Sequence, residues 1–299
     1  MHVAVLGAGG MLGHDVVDRC REESVECTPL NSADGDITDP LKLARAVPVC
    51  DWVINCASYT RVDDAEANVE QARRVNRDGA GHIAELCARR GIFLLHVSTD
   101  YVFDGRKQGG YVESDPINPL NVYGETKFEG EQAIRESGCR AIMMRTQALF
   151  GTHGSSFVKT IAERITKSGD PLKVVTDHVT SPTYTVHLAQ AIIRLLACGK
   201  HGIVHVAATG TCTWYDLACA IVARVKPGHP VEPVTADAFQ TPARRPPNAT
   251  LDTTRFERWT GWAMPAWQQG IDGFLAETGL GKAAITESVN RAETNQGGE

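Results

Sequence analysis

Apolar residues in the first half of this chain fall into short runs, and each run is followed by a stretch with helical periodicity. Val3 to Leu6 is the first run, and a helical pattern follows it to about Glu23. Val25 to Leu30, Asp51 to Ala57, Ile92 to Val97 and Arg140 to Leu149 read as the next four strands. Between the third and fourth a long helix begins after Ser58 and is closed by Gly91, and between the fourth and fifth another starts near Val122. Strict alternation of strand and helix predicts a parallel sheet with right-handed crossovers, which is a doubly wound α/β fold.

Beyond Gly151 the rhythm changes. Helices are expected over 155–167, 184–198, 214–225, 253–260 and 266–277, with strands at 172–176 and 202–207. The stretch 227–248 is Pro-rich and reads as loop. The pattern divides the chain into a doubly wound α/β domain over 1–150, a smaller α+β lobe over 151–280 and a flexible tail over 281–299. Segments near 183–207 are expected to pack back on the first domain.

Composition narrows the partners. A chain of 299 residues with net charge −6 is large enough for a full core and argues against nucleic-acid binding, which needs basic surface. No apolar run reaches membrane-spanning length, and no secretory leader precedes the first strand. The nine Cys are scattered without a C-x-x-C, as expected of buried thiols in a reducing cytoplasm, and no cluster offers itself to zinc.

The candidate chemistry gathers where strands end. Gly7, Gly10 and Gly13 follow the first strand and open a helix, a spacing that allows a tight turn, close approach of a pyrophosphate and close packing of helix on strand. A plain Gly-rich turn is the alternative. The second strand ends in Asn31-Ser32 without an acid or Arg to choose between NADH and NADPH, although Asp36 and Ile37 could meet the adenine edge. Asp39 before Pro40 reads as a helix N-cap. Asp63, Asp64 and Glu66 could suggest a metal, but acids in a first helical turn are explained by the macrodipole. Thr99 lies in the break after the fourth strand, and Tyr123 and Lys127 lie four apart at a helix start, on one face. A hydroxyl, a phenol and an ammonium could therefore converge on one small molecule. The alternative is a strand-end cap, an inward ring and a solvated charge.

Taken together, Gly7-x-x-Gly10-x-x-Gly13, Asn55-Cys56-Ala57 with Tyr59-Thr60-x-Val62-Asp63, Ser98 to Gly105, and Tyr123-Gly124-x-x-Lys127 resemble an extended short-chain dehydrogenase/reductase. More narrowly, with Arg245-Pro246-x-Asn248-x-x-Leu251-Asp252, the chain resembles the dTDP-4-dehydrorhamnose reductases over about Val3 to Glu277. The resemblance implies a Rossmann-type domain that delivers hydride from NADPH or NADH to the C4 ketone of a nucleotide-linked 6-deoxysugar. It implies cofactor contacts at Gly7, Gly10, Met11, Leu12, Gly13, Asp36, Ile37, Cys56, Ala57, Tyr59, Tyr123 and Lys127. Substrate contacts are expected at Thr60, Val62, Asp63, Thr99, Tyr101, Arg245 and Asn248. Tyr123 would donate the proton, Lys127 would lower the phenol's pKa and hold the nicotinamide ribose, and Thr99 would fix the carbonyl oxygen. Arg245 would bind diphosphate, a solvated loop charge being the alternative. The sequence gives no support for Mg2+ without excluding it, and it leaves a homodimer open.

Two departures bear on the substrate. The family pattern Arg-Thr-x-Trp appears as Arg145-Thr146-Gln147-Ala148, and Asp-Gln-x-Gly-x-Pro-Thr appears as Asp177 to Thr183 with His178 and Thr180 replacing amide and glycine. His178 is then an extra acid/base or a surface residue. These changes leave open another 4-keto nucleotide sugar as substrate. They also leave a non-catalytic NADP-binding regulator resembling the beta subunit of methionine adenosyltransferase.

Overall fold

A computed structural model describes residues 1–280 of the chain; the tail expected over 281–299 lies outside the described residues. The first half alternates as expected: β1 (His2–Leu6), α1 (Met11–Glu22), β2 (Glu26–Leu30), α2 (Pro40–Ala46) and β3 (Trp52–Asn55). Next come α3 (Val62–Ala67), α4 (Val69–Arg73), α5 (Gly79–Arg90), β4 (Phe93–Thr99), α6 (Val122–Glu136) and β5 (Ala141–Thr146). The second half contains β6 (Leu149–Phe150), α7 (Phe157–Lys167), β7 (Leu172–Val175), β8 (Val179–Thr180), β9 (Thr183–Tyr184), α8 (Thr185–Ala197) and β10 (Gly202–His205). It closes with β11 (Cys212–Thr213), α9 (Trp214–Val225), β12 (Val231–Val234), α10 (Thr254–Thr260) and α11 (Trp267–Thr278).

Six strands pair in the order β10-β5-β4-β3-β1-β2, all parallel. Because side chains alternate along a strand, the sheet builds a core on each face. Val3, Val5, Ile54 and Leu95 point to one side, where Val16 of α1 and Leu188 and Ile192 of α8 meet them. Ala4, Leu6, Val53 and Leu94 point to the other, against Ile83 and Leu86 of α5 and Ile134 of α6. Each such Leu or Ile contributes about 1.5–3 kcal/mol by leaving water, so register is strongly specified. A further apolar cluster joins α7, α9 and α11 around Ile161, Leu217, Ile221 and Phe274 and forms the smaller lobe. No helix among the described residues is long and apolar enough to cross a membrane.

Four expectations need correction. The long helix ending at Gly91 is interrupted: Asn68 breaks it with φ −122 and ψ 48, and a π turn at Arg74–Asp78 inserts a further irregularity before α5. That turn aims the buried Asn76 inward, where it bonds Ser58, Tyr59 and Thr126. The fourth strand does not stop before Ser98 but carries Ser98 and Thr99 in register with Arg145 and Thr146. The fifth strand stops at Thr146, because Ala148 adopts a left-handed φ of 46 that redirects the chain into β6. The loop expected over 227–248 contains β12, which pairs with β7 despite Pro233. In a two-stranded ribbon the missing N–H can face away from the partner, so the Pro is tolerated.

Candidate active site

A cleft of about 1830 Å³ opens at the C-terminal ends of the sheet strands, between them and the smaller lobe. Crevices in this position are where open α/β sheets bind ligands. On the first-strand side Gly7 has φ +75, and a Cβ there would lie 2.7 Å from the Ala57 nitrogen. A Cβ on Gly13 would lie 2.1 Å from the Gly7 carbonyl, so Gly13 serves the packing of α1 on β1 and does not line the cleft. α1 begins at Gly10 with no side-chain cap and no acid in its first turn. Its free N–H groups therefore face the cleft beside Met11 and Leu12 as a site for a diphosphate.

Farther along, Asn31, Ser32, Asp36, Ile37 and Arg74 line the wall. The Asp36 carboxylate accepts from the Thr38 N–H and hydroxyl at 2.9 and 2.8 Å, which holds its pKa below the usual range and turns it into its own loop. Cys56, Ala57, Thr60 and Val62 continue the wall. Tyr59 does not: its phenol bonds Asp64 and its ring packs among Ala65 and Ala72.

The structure brings Thr99, Tyr101, Tyr123 and Lys127 together on this wall. Asn121 caps α6 by accepting from Gly124 N–H at 2.8 Å and donates to the Arg244 carbonyl at 2.7 Å, which fixes the helix start that carries Tyr123. Burial pushes the Tyr123 phenol up to about 12, and contact with the Thr99 hydroxyl works the other way. Thr99 donates to Asp100 Oδ1 at 2.9 Å, and burial raises that carboxyl to about 7.

Lys127 is buried, and its Nζ donates to the Val97 carbonyl at 2.7 Å. Burial pulls its pKa down to about 8, against the opposing pull of Glu131. The expectation that Lys127 lowers the Tyr123 phenol is therefore corrected, since desolvation dominates the phenol and the ammonium is directed at β4.

Of the expected substrate contacts, Asp63 and Asn248 lie off the cleft wall, while Arg245 lines it. Arg245 makes a two-pronged ion pair with Asp63 at 3.0 and 2.6 Å, so this guanidinium is already matched and Asp63 lies behind it, off the wall. Asn248 donates to the Lys107 and Gly109 carbonyls at 2.8 and 3.0 Å and accepts from Thr250, which fastens the 105–111 loop and leaves nothing for the cleft. His178 lines the cleft with both ring nitrogens engaged, by Asp177 at 3.1 Å and the Arg245 carbonyl at 3.4 Å.

Sequence reasoning missed Asn55, His96, Thr146 and Gln147. A His inside the otherwise apolar run Leu94-Leu95-His96-Val97 was the available signal, because a polar side chain in a strand covered on both faces needs a partner. It also missed a grouping of His14, Asp18 and His153, whose ligand atoms lie within 4.8 Å of one another. The two imidazoles stack at 4.0 Å with planes 13° apart. Their lone pairs then run in parallel planes and cannot converge on one ion at about 2 Å, so the grouping as it stands is a stacked pair and not a metal centre.

Comparison with known proteins agrees with the geometry. Residues 1–279 match the model of the family described as RmlD substrate binding domain. The chain is 37% identical over 290 residues to a dTDP-4-dehydrorhamnose reductase of Aggregatibacter actinomycetemcomitans, covering 91% of this chain and 97% of that one. It is 39% identical over 272 residues to a dTDP-4-keto-6-deoxy-D-glucose reductase of Streptomyces niveus, covering 89% of each. Among solved structures, the dTDP-4-dehydrorhamnose reductase of Bacillus anthracis in complex with NADP superposes with a TM-score of 0.88 at 32% identity. The match covers 92% of this chain and 99% of that one.

Proposed function

The chain belongs to the RmlD substrate binding domain family, and from that membership and the cleft's geometry we propose that it is an NAD(P)H-dependent reductase of nucleotide-linked 4-keto-6-deoxysugars. The leading case is conversion of dTDP-4-dehydro-L-rhamnose to dTDP-L-rhamnose. The observation that carries the reading is the convergence of Thr99, Tyr123 and Lys127 beside a helix N-terminus left open for a diphosphate.

The nicotinamide cofactor supplies a hydride when bound. Its diphosphate fits the uncapped start of α1, and its adenosine end fits the wall from Asn31 to Ile37. We favour NADPH over NADH. No acid stands free at the end of β2 to take the ribose hydroxyls, Asp36 is turned on Thr38, and Arg74 on the same wall suits a 2′-phosphate.

As the ketone becomes an alkoxide, Tyr123 gives it a proton. A phenol held near 12 is fully protonated at neutral pH and so available as the acid. Thr99 turns its single hydroxyl proton from Asp100 to the same oxygen, and Lys127 holds the cofactor ribose. In this division the sheet with the 183–207 segments carries the cofactor, and the rest of 151–280 carries the sugar nucleotide. All nine thiols are unpaired, which fits the cytoplasm as its compartment.

The test is a panel of nucleotide 4-ketosugars assayed with NADPH and NADH. The reading expects reduction of dTDP-linked 4-keto-6-deoxysugars and a higher kcat/KM with NADPH. Binding of the dinucleotide with no turnover of any ketosugar would instead support the regulatory alternative.

A further inference from the structure

Five buried side-chain polar atoms among the described residues make no hydrogen bond, and three of them are neighbours: Thr146 Oγ1, Gln147 Nε2 and Gln147 Oε1. Both residues line the cleft, and Gln147 is only 2% exposed. A buried amide with neither end paired is costly, and such groups in folded proteins almost always have partners. Here the cavity that both residues border is the cleft. Their position is set by the sheet, because Thr146 is the paired neighbour of Thr99 across β4 and β5. Thr146 therefore lies beside the hydroxyl assigned to the reacting carbonyl oxygen, and Gln147 is the next residue along the cleft lining. Ala148 follows with its left-handed backbone and presents no more than a methyl group to the cleft.

Resting on the reductase reading above, we propose that Thr146 and Gln147 form a hydrogen-bonding subsite for a ring hydroxyl next to the reacting carbonyl, and that Gln147 determines which sugar is accepted. The chemistry of the groups selects this ligand. A carboxamide offers one acceptor and one donor group, and the threonine hydroxyl offers both, which is the complement of a sugar hydroxyl. Neither residue is charged, so a phosphate or carboxylate finds no counter-ion in this pair. A site built to bond a hydroxyl rejects the analogue that lacks it far more strongly than an apolar pocket rejects an extra group, because its own polar atoms then stay unpaired. The protein would therefore discriminate against sugars that are deoxy at the carbon beside the ketone.

The experiment measures binding of dTDP-L-rhamnose and its 3-deoxy and 2-deoxy analogues to the NADPH-loaded protein, a combination of reduced cofactor and reduced sugar that cannot react. Calorimetry on the wild type and on Gln147→Met, which keeps length but removes both polar atoms, gives the ratio of affinities. The wild type is expected to lose at least about 10-fold on the 3-deoxy analogue, and Gln147→Met to bind both sugars within about 3-fold of each other. Gln147→Met should also melt no lower than the wild type without sugar, since it removes an unpaired buried amide, so a folding failure is visible separately. Retention of the wild-type discrimination in Gln147→Met overturns the subsite. If the wild type binds none of the three sugars, the reductase reading fails, and this inference fails with it.

Discussion

His96 Nε2 faces Lys127 Nζ at 3.4 Å inside the sheet's C-terminal edge. The Asn55 carbonyl oxygen accepts from Ala57 N–H at 3.0 Å, so its amide N–H must be what meets His96 Nδ1, also at 3.0 Å. The remaining ring proton is then on Nε2, pointed at the amine. This arrangement favours a neutral lysine, and burial together with the Lys127 charge holds the His96 pKa well below the ordinary value, which disfavours a second cation there.

The consequence for stability has a definite sign. The folded pKa of Lys127, about 8, lies below that of an unfolded lysine near 10.4, so the unfolded chain binds more protons between those values and stability rises with pH across that window. Below about pH 8 the full cost of the buried ammonium, about 3 kcal/mol, is present. Lys127→Met should therefore raise Tm at pH 7 by roughly 5 °C while abolishing reduction, and the gain should shrink as pH approaches about 10. Thermal melts across that range check both parts.

Turnover should carry the same group's signature in the opposite direction. Reduction uses the protonated phenol and the ammonium, and Tyr123 stays protonated until about 12 while Lys127 loses its proton near 8. Measured from about pH 6 to about 10, kcat/KM for reduction should hold level and then fall through about 8. A profile still level at about pH 10 would remove Lys127's charge from the mechanism.

Gly124 should be intolerant of any side chain. A Cβ there would lie 2.1 Å from the Tyr101 carbonyl, a backbone atom that cannot swing away. Gly124→Ala is expected to cost about 3 kcal/mol and to shift Tyr123, seen as a lower denaturation midpoint together with lost activity. Gly138→Ala offers a contrast, because its open surroundings leave only the strain of its φ of +71.

The Asp63–Arg245 pair is partly exposed, so its loss should change global stability by no more than about 1 kcal/mol. Its role is local, tying α3 to the 243–247 segment that forms the cleft's far wall. Asp63→Asn should raise KM for the sugar nucleotide several-fold and leave kcat near the wild-type value.

Much of this was legible in the residues because local rules and global fold agree. Alternating apolar runs disclosed the parallel sheet, Asp39 caps a helix where its type predicts, and Gly91 ends α5 in the left-handed conformation. What stayed hidden depends on distant partners. Arg245 looked free until Asp63 was seen 182 positions away, and Asn248 looked like a ligand contact until the 105–111 loop closed on it. The Tyr123–Lys127 spacing put both groups on one cleft wall, yet it could not show that burial sets the pKa of each.

The central claim is that Tyr123 protonates the alkoxide formed from a 4-keto sugar nucleotide. Its most direct test is NADPH oxidation with dTDP-4-dehydro-L-rhamnose by the wild type and by Tyr123→Phe, with NADPH affinity measured in parallel. The account predicts stoichiometric reduction by the wild type and a fall in kcat of about 10²- to 10⁴-fold in Tyr123→Phe at nearly unchanged NADPH affinity. Equal kcat in the two proteins would contradict it.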